Sequence, residues 1–308
     1  TKTSVTFVVR PARVASRDPI AIERVKDDLR ETIDAPVRAA ATPPDADVIL
    51  LAVGTEDLDA IRPLVQGDAP IVVLTPMLPK EWRRMRDTFG DRVLAAMPSF
   101  VAYARPEVRG DAAADSAKRR ETSVVRYWLP PVATRIDEPR AGARGDAVRE
   151  LARDLETAGI SARFELGVHE TNPATTLCAI PIAMGVALAG GLDALARDEA
   201  LVAIVSRACS EGAAIARTVG RPEPPVLLAP ILARALPLRI AAAAARRLSP
   251  ESLHYLDEHF GKKLRAQHVF MAREMAAIAE ERSLAHDAID NLAARLALVR
   301  VPVLRSPS

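Results

Sequence analysis

The stretch DADVILLAVGTEDLDAI, residues 45–61, decides the fold class of this 308-residue chain. The run Asp47–Val53 is apolar after its first residue and ends at Gly54, which is typical of a strand in a parallel sheet covered on both faces. A helix is predicted at Glu56–Gln66, and another buried strand at Pro70–Leu74 (PIVVL). Strand–helix–strand order with short connections predicts parallel βαβ units and hence a doubly wound sheet.

The α/β pattern extends in both directions from this stretch. We predict further strands at Ser4–Arg10, Arg92–Met97 and Ser161–Glu165 and helices at Ile20–Thr32, Lys80–Phe89 and Arg144–Ala158. After Pro98 the pattern changes, and the next strands are predicted to be antiparallel additions to the sheet. These additions are Phe100–Tyr103, Val124–Leu129 and Val132–Ile136.

The second half of the chain is predicted to be all-helical. From Val168 onward no strand signal occurs until the last few residues. Helical segments are predicted at 168–190, 193–219, 225–247, 251–282 and 285–299. Pro225, Pro230 and Pro237 are expected to break or kink the third segment, because proline removes a helix hydrogen bond. The sequence thus predicts two domains, residues 1–166 and 167–308.

The composition supports two domains and argues against a nucleic-acid partner. Hydrophobic residues make up 49% of the chain and aromatic residues only 4%, as in an alanine-rich helical or α/β protein. Lys plus Arg is 42 and Asp plus Glu is 40, and the two signs are interspersed. Without a basic stripe, DNA or RNA binding is not expected. The five histidines show no metal-ligand spacing, so no metal site is predicted.

The location is predicted to be the cytoplasm. Cys178 and Cys209 each lie in an apolar helical segment, which favours buried free thiols in a reducing compartment. No signal peptide is recognisable. Ala174–Leu195 is long and almost uncharged, but its Ala/Gly richness and the polar break at Asp193 favour a buried helix over a membrane span.

Several segments, in their order along the chain, resemble the ketopantoate reductases (2-dehydropantoate 2-reductases). They are VTFVVRPARV (5–14), DADVILLAVGTEDLDAI (45–61), PIVVLTP (70–76), FGDRVLAAMP (89–98), AMGVALAGGLDAL (183–195) and EMAAIAEERSLAHDAIDNL (274–292). The resemblance implies a Rossmann-like domain followed by an all-α domain of the 6-phosphogluconate-dehydrogenase C-terminal type. It also implies hydride transfer from NADPH to a 2-oxo acid in the cleft between the domains.

The resemblance implies a set of cofactor-binding residues. Arg10 ends its strand where the family has a basic residue against the 2′-phosphate of NADPH, and Arg13 is expected to assist. Two further pairs follow the ends of parallel strands, where open α/β sheets bind ligands. They are Val53 with Gly54, which stands where the family has a lysine, and Thr75 with Pro76, where Thr75 replaces an asparagine. The alternatives are solvated surface arginines and ordinary turn residues.

The family's phosphate-binding loop is missing from this sequence. Family members begin with a strand and GxGxxG, whose glycines let the pyrophosphate approach the backbone at a helix N-terminus. Here no GxGxxG occurs, and the sequence opens at what resembles the second strand. Because the missing strand would be central in the sheet, we expect the sequence to be incomplete at its N-terminus. The alternative is that another segment or subunit fills the slot.

The catalytic residues implied by the resemblance are replaced. In TTLCAIPIAM (175–184), Thr176 stands at the position of the family's lysine and Ile180 at that of an asparagine. A threonine hydroxyl can donate a hydrogen bond to a carbonyl, but it supplies no positive charge to a developing alkoxide. In HFGKKLRAQ (259–267), His259 and Lys263 are four apart and would share one helical face. Lys263, His259 and Thr176 are therefore the catalytic candidates, the alternative for the first two being a charged surface face.

The predicted function is NADPH-dependent reduction of a small 2-oxo acid or related carbonyl compound. The alternative is a non-catalytic relative that acts as a nucleotide-binding or scaffold protein, which the replaced lysine and asparagine favour. A homodimer is also considered, because the apolar segment Ala174–Gly190 would suit burial against a helix of the same chain or of another.

Overall fold

The computed structural model describes residues 5–8, 20–33, 37–38, 45–54, 57–107, 122–248 and 250–298 of the chain. The chain divides into two compact units. The α/β unit comprises residues 1–53, 57–75 and 81–168, and the helical unit comprises residues 54–56, 76–80 and 169–308.

Eleven strands and three helices are described in the α/β unit. The strands are β1 Phe7–Val8, β2 Ile20–Arg24, β3 Leu29–Ile33, β4 Val37–Arg38, β5 Ile49–Leu51, β6 Ile71–Val73, β7 Val93–Met97, β8 Val101–Glu107, β9 Thr122–Trp128, β10 Thr134–Asp137 and β11 Ala162–Glu165. The helices are α1 Leu58–Ile61, α2 Pro79–Phe89 (whose first two residues belong to the helical unit) and α3 Ala143–Thr157, with 3-10 turns at Arg62–Leu64 and Gly90–Arg92.

A five-stranded sheet in the order β11-β10-β7-β6-β5 is the centre of this unit. Strands β5, β6 and β7 are parallel, with Ile49 paired to Ile71 and Ile71 paired to Val93. Strand β10 joins β7 in antiparallel fashion, as predicted for this segment, and β11 runs parallel to β10. The parallel part is the expected βαβ core, and α2 connects β6 to β7.

Helix α3 covers one face of this sheet through a small apolar core. Its Val148 is buried together with Val72, Leu94 and Ile136 of the strands. These side chains alternate along their strands with the buried residues of the opposite face, such as Ile71 and Val73. Burial on both faces explains why β6 and β7 are continuous apolar runs in the sequence.

A separate four-stranded sheet has the order β3-β2-β9-β8. The predicted helix at Ile20–Thr32 is wrong, because β2 and β3 form an antiparallel hairpin here. The turn between them contains Asp28 with a positive φ of 52°, and β2 pairs in parallel with β9. The predicted antiparallel segments around 100–103 and 124–129 pair with each other as β8 and β9, but in this second sheet and not in the first.

The hairpin is fixed by a buried arginine on β9. Arg126 Nε lies 2.8 Å from Glu23 Oε1, and its Nη2 lies 3.2 Å from Asp28 Oδ1. Its side chain is only 8% exposed, so both carboxylates compensate a charge that is largely removed from water. This long-range ion pair links the strand and the turn of the hairpin to a strand about 100 residues later.

The helical unit contains eight α-helices among its described residues. They are α4 Val168–Ala189, α5 Leu192–Arg197, α6 Glu199–Val219, α7 Ala229–Leu232, α8 Ala235–Leu248, α9 Pro250–Tyr255, α10 Arg265–Arg282 and α11 Asp287–Leu298, with a 3-10 turn at Pro224–Leu228 and a π-helix at Leu256–Lys263. The predicted break of the third segment by prolines is confirmed, because the chain bends by 111° between Pro224–Leu232 and Ala235–Arg247.

Helix α4 contributes many of the buried residues of this unit. It is long and apolar enough to cross a membrane by length and composition, but 67% of its most apolar window is buried. Leu177 and Met184 are fully buried among the helices around it. The segment 174–190 therefore packs mainly against helices of the same chain. This is the first of the two alternatives, same chain or another, that its apolar sequence left open.

Both cysteines lie in this core and are free thiols, as predicted. Cys178 of α4 and Cys209 of α6 have no exposed surface. Burial raises the pKa of Cys178 to about 11 and that of Cys209 to about 12, because a thiolate loses its hydration there. These thiols act as small apolar core residues.

Candidate functional site

The candidate cofactor residues Val53 and Thr75 are brought together at the carboxyl ends of β5 and β6. The Thr75 hydroxyl donates a hydrogen bond to the Val53 carbonyl oxygen. One step earlier, the Leu74 amide donates to the Leu51 carbonyl oxygen at 2.8 Å. Thr75 is 9% exposed, so its side chain ties the two strand ends together from a largely buried position. This is the edge of an open parallel sheet at which ligands bind.

Gly54 and Pro76 directly follow these two residues in the chain. Both belong to the helical unit, as do residues 77–80. Leu78, from this short stretch, is 1% exposed and packs in the core of the helical unit. The two strand ends are therefore followed at once by residues of the other unit.

Strand β5 is the last strand of its sheet among the described residues. Its Ile49 and Leu51 are buried, whereas Leu50 is 49% exposed. The prediction of a strand covered on both faces is thus wrong for β5, since no described helix covers the face that carries Leu50. For β6 the prediction holds, because all three of its residues are buried.

The phosphate-binding candidates Arg10 and Arg13 lie outside the described residues. The sequence contains no GxGxxG, and Gly54, Gly67 and Gly90 are isolated from one another. The described residues therefore fit a nicotinamide cofactor only at the strand ends. They supply no glycine cradle for its pyrophosphate.

Thr176 lies on α4, and its hydroxyl is engaged by its own helix. The Thr176 Oγ1 donates to the Asn172 carbonyl oxygen one turn earlier, at 2.9 Å. Ile180, at the position where the resemblance implies an asparagine, is 5% exposed and packs in the helical core. Thr176 can still accept a hydrogen bond, but its single proton is already used.

Thr175 is a polar residue that the sequence interpretation missed. It is 7% exposed, and its hydroxyl accepts a hydrogen bond from the Glu223 amide at 3.0 Å. This bond ties the chain beyond α6 to the first half of α4. A threonine inside an apolar helix was the only sequence signal for it, and that signal does not reveal a partner 48 residues away.

Lys263 and His259 lie on the π-helix Leu256–Lys263, and their side chains are outside the described part of the structure. The predicted face at α-helical spacing is therefore replaced by a wider helix turn, of a kind that often occurs at functional sites. The same segment carries Asp257, whose Oδ1 accepts a hydrogen bond from the Leu192 amide at 2.8 Å. Burial raises the pKa of Asp257, and that hydrogen bond partly opposes the shift.

Asp257 holds the start of α5 against the π-helix. The neighbouring Gly191 has a φ of 152°, and a Cβ there would lie 3.1 Å from Asp257 Oδ2. Among the described residues, no group of three or more His, Cys, Asp or Glu side chains is arranged to hold a metal ion.

Comparison with solved structures defines the class of fold. No family model and no curated protein sequence matches the chain. A ketopantoate reductase of the PanE/ApbA family from Ralstonia eutropha JMP134 is similar at a TM-score of 0.65 and 16% identity, over 96% of this chain and 90% of the other. A dimeric ketopantoate reductase from Staphylococcus aureus is similar at 0.59 and 15%, over 96% and 98%.

A D-mandelate dehydrogenase, solved with NADH and anilino(oxo)acetate, has a TM-score of 0.63 and 13% identity, over 96% of this chain and 90% of its own. These likenesses extend over almost the whole chain and over both units. The protein therefore has the fold of the ketopantoate reductases, a Rossmann-like domain followed by an all-helical domain.

Proposed function

We propose that this protein is a cytoplasmic, NADP(H)-dependent reductase of a small 2-oxo acid or a related carbonyl compound, and a divergent relative of the ketopantoate reductases. The observation that carries the proposal is the pairing of Thr75 with Val53 at the carboxyl ends of β5 and β6. Ligands of open α/β sheets bind at such ends. Similar structures include a D-mandelate dehydrogenase solved with NADH, which supports a nicotinamide cofactor.

The cofactor contacts are divided between two regions of the chain. Arg10, assisted by Arg13, would bind the 2′-phosphate, for which a guanidinium offers two parallel hydrogen bonds. Val53, Gly54, Thr75 and Pro76 would offer backbone groups at the two strand ends. The bound cofactor supplies the hydride, and the protein's task is to orient the carbonyl substrate and supply its proton.

Of the three catalytic candidates, we assign the cationic role to Lys263. Thr176 carries no charge, and its proton is donated to the Asn172 carbonyl oxygen. Only a cation or a free donor stabilises the alkoxide that forms when hydride reaches a carbonyl carbon. His259, four residues before Lys263, would serve as the proton donor to the product alkoxide.

Steady-state kinetics of two variants test this assignment. Lys263→Ala should lower kcat for 2-oxo acids by about 100-fold, the usual cost of losing one oxyanion donor, while the Kd for NADPH stays unchanged. The matched variant Thr176→Val loses only a helix-internal hydrogen bond and should keep kcat within about twofold. If Lys263→Ala turns over substrate at the wild-type rate, this lysine has no part in the mechanism. A large loss of kcat in Thr176→Val would instead assign the stabilisation of the alkoxide to Thr176.

A second candidate function is a non-catalytic relative that binds nucleotide or acts as a scaffold. The observation in its favour is that the helix position expected to hold a lysine carries an engaged threonine, while the asparagine position carries the buried Ile180. NADPH binding without turnover of any 2-oxo acid would favour this candidate. Turnover of one such acid would exclude it.

We also propose that the protein is a homodimer. Support comes from the similar Staphylococcus aureus ketopantoate reductase, which is described as dimeric. The helical unit is the part of the chain for which a dimerisation role was predicted.

A further inference from the structure

Helix α8 of the helical unit is apolar on two opposite faces. Its inner face holds Leu238 and Ala242, which are 5% and 2% exposed and belong to the core of the unit. Its outer face holds Leu236 and Ile240, which are 68% and 61% exposed. A helix that is apolar on all sides is normally buried on all sides. The inner face is covered by this chain, whereas the outer face is open to water.

The outer face is a regular stripe. Leu236, Ile240, Ala243 and Ala244 are all exposed, and they follow each other at intervals of four, three and one residues. Such spacing places them on one side of an α-helix. Two large side chains at one end and two alanines at the other make the stripe suitable for contact with a second helix, because small residues let helices approach closely.

The segment before α8, from which the chain bends by 111°, also carries exposed apolar residues. Leu228, Ile231 and Leu232 are each about half exposed. Together with Leu236 and Ile240, they leave on the order of 500 Å² of apolar side-chain surface in water, which is at the upper end for monomeric proteins. A standard interface buries about 800 Å² per partner, and about 65% of a homodimer interface is apolar. An interface that covers both segments would therefore bury an apolar area of the size that one side of a stable dimer needs.

Two of the arginines beside the stripe are compensated within the chain. Arg239 Nη2 lies 2.9 Å from Glu199 Oε1, and Arg239 Nε donates to the Ala196 carbonyl oxygen. Arg246 forms a two-point ion pair with Asp193. A partner that binds here therefore meets apolar side chains bordered by these two ion pairs.

We infer that the occupant is a second copy of this chain, and that the outer face of α8 forms the interface of a symmetric homodimer. We place the two-fold axis perpendicular to α8, so that the two α8 helices run antiparallel and the same patch faces itself. With Ile240 at the two-fold axis, Leu236 faces Ala244 of the partner subunit, and the large side chains of each helix meet the small ones of the other. The inference rests on the homodimer proposed above, and it is independent of NADP(H) binding and of turnover.

Sedimentation velocity of the full chain tests this interface. The double variant Leu236→Glu/Ile240→Glu should weaken the dimer by at least about 100-fold, because two charges per protomer would lose their hydration in the interface. Leu166→Glu is the matched control, since Leu166 is 84% exposed but lies in the α/β unit. It should stay dimeric. A dimeric double variant, or a wild type that is monomeric at all concentrations, overturns the inference.

A cross-linking experiment does not depend on a disruptive substitution. Ile240→Cys should form a disulfide-linked dimer on mild oxidation, because the two thiols meet at the axis. The native Cys178 and Cys209 are fully buried and do not compete, and Leu166→Cys serves as the exposed control. Cross-linking no faster than in Leu166→Cys contradicts the interface.

Two further measurements separate this inference from its rivals. Wild type that remains monomeric and sediments with vesicles of phosphatidylcholine and phosphatidylserine would assign the stripe to a membrane surface and overturn the homodimer. NADPH titration of the same samples distinguishes the two failures. A monomer that binds NADPH refutes the homodimer and its interface but not the reductase, whereas a dimer that binds none refutes the reductase and leaves the interface standing.

Discussion

At the scale of single residues, the site is defined by what each hydroxyl binds. Thr75 and Thr176 were both chosen from the sequence, and each donates its proton to a backbone carbonyl. For Thr75 this bond joins two strand ends and organises the candidate site. For Thr176 it lies within one helix turn and leaves no proton for a substrate. The sequence predicted both positions but not this difference, because a hydroxyl's partner depends on the folded backbone.

The two thiols give a residue-scale prediction. With pKa values of about 11 and 12, neither Cys178 nor Cys209 forms an appreciable thiolate at pH 8, and neither is exposed. Reaction with a thiol reagent at pH 8 should therefore be negligible in the folded protein and complete for both thiols in urea. Fast reaction without denaturant would contradict their burial.

The same shifts set a pH dependence of stability. Because burial raises the folded pKa of both thiols above the ordinary value of 9.0, the folded state holds their protons more tightly. Their contribution is fully present below about pH 9 and is lost as the pH rises from there through about 11 and 12. Urea unfolding should give a lower free energy of unfolding at pH 10 than at pH 8. In the double variant Cys178→Ala/Cys209→Ala, this free energy should decrease less between pH 8 and pH 10.

At the scale of elements, helices α4 and α6 approach each other closely at a glycine. A Cβ added to Gly212 of α6 would lie 2.9 Å from the Leu177 carbonyl oxygen of α4 and 3.2 Å from the Met275 methyl group. A backbone oxygen cannot move aside as a side chain can. The absence of a side chain at Gly212 therefore allows α4 and α6 to approach each other this closely.

Gly212→Ala should destabilise the protein by about 1–2 kcal/mol, since overpacking costs more than the gain in helix propensity. Thermal or urea unfolding measures it. Gly261→Ala is the control, because its added Cβ would meet nothing closer than 3.7 Å. Equal stability of the two variants would rule out a tight contact between α4 and α6.

The misassigned hairpin shows where sequence patterns fail for elements. Ile20–Thr32 contains no glycine or proline, and its charges and aliphatic residues suit a helix. Two features override this preference: the parallel pairing of β2 with β9, and the ion pairs from Arg126 to Glu23 and Asp28. Both come from a strand about 100 residues away. Local propensity contains no information on such contacts.

At the scale of the whole molecule, the apolar runs around residues 49–51, 71–73 and 93–97 were sufficient to predict the parallel sheet, although only β6 and β7 are buried on both faces. The helical half followed from the absence of any strand pattern after Val168. The four-stranded sheet could not be predicted as a separate layer, since β2, β3, β8 and β9 come from distant parts of the chain. The exposed stripe on α8 was hidden as well, because a helix with two apolar faces has the same composition as a core helix.

Fluorescence titration of the purified protein with NADPH, with NADH as the control, tests the central claim most directly. The proposed function predicts saturable binding of NADPH and at least about tenfold weaker binding of NADH, because a guanidinium at the 2′-phosphate discriminates by more than about 1.4 kcal/mol. Arg10→Ala should remove this preference and leave NADH binding unchanged. Absence of binding by either nucleotide at millimolar concentration would contradict the reductase and nucleotide-binding proposals alike.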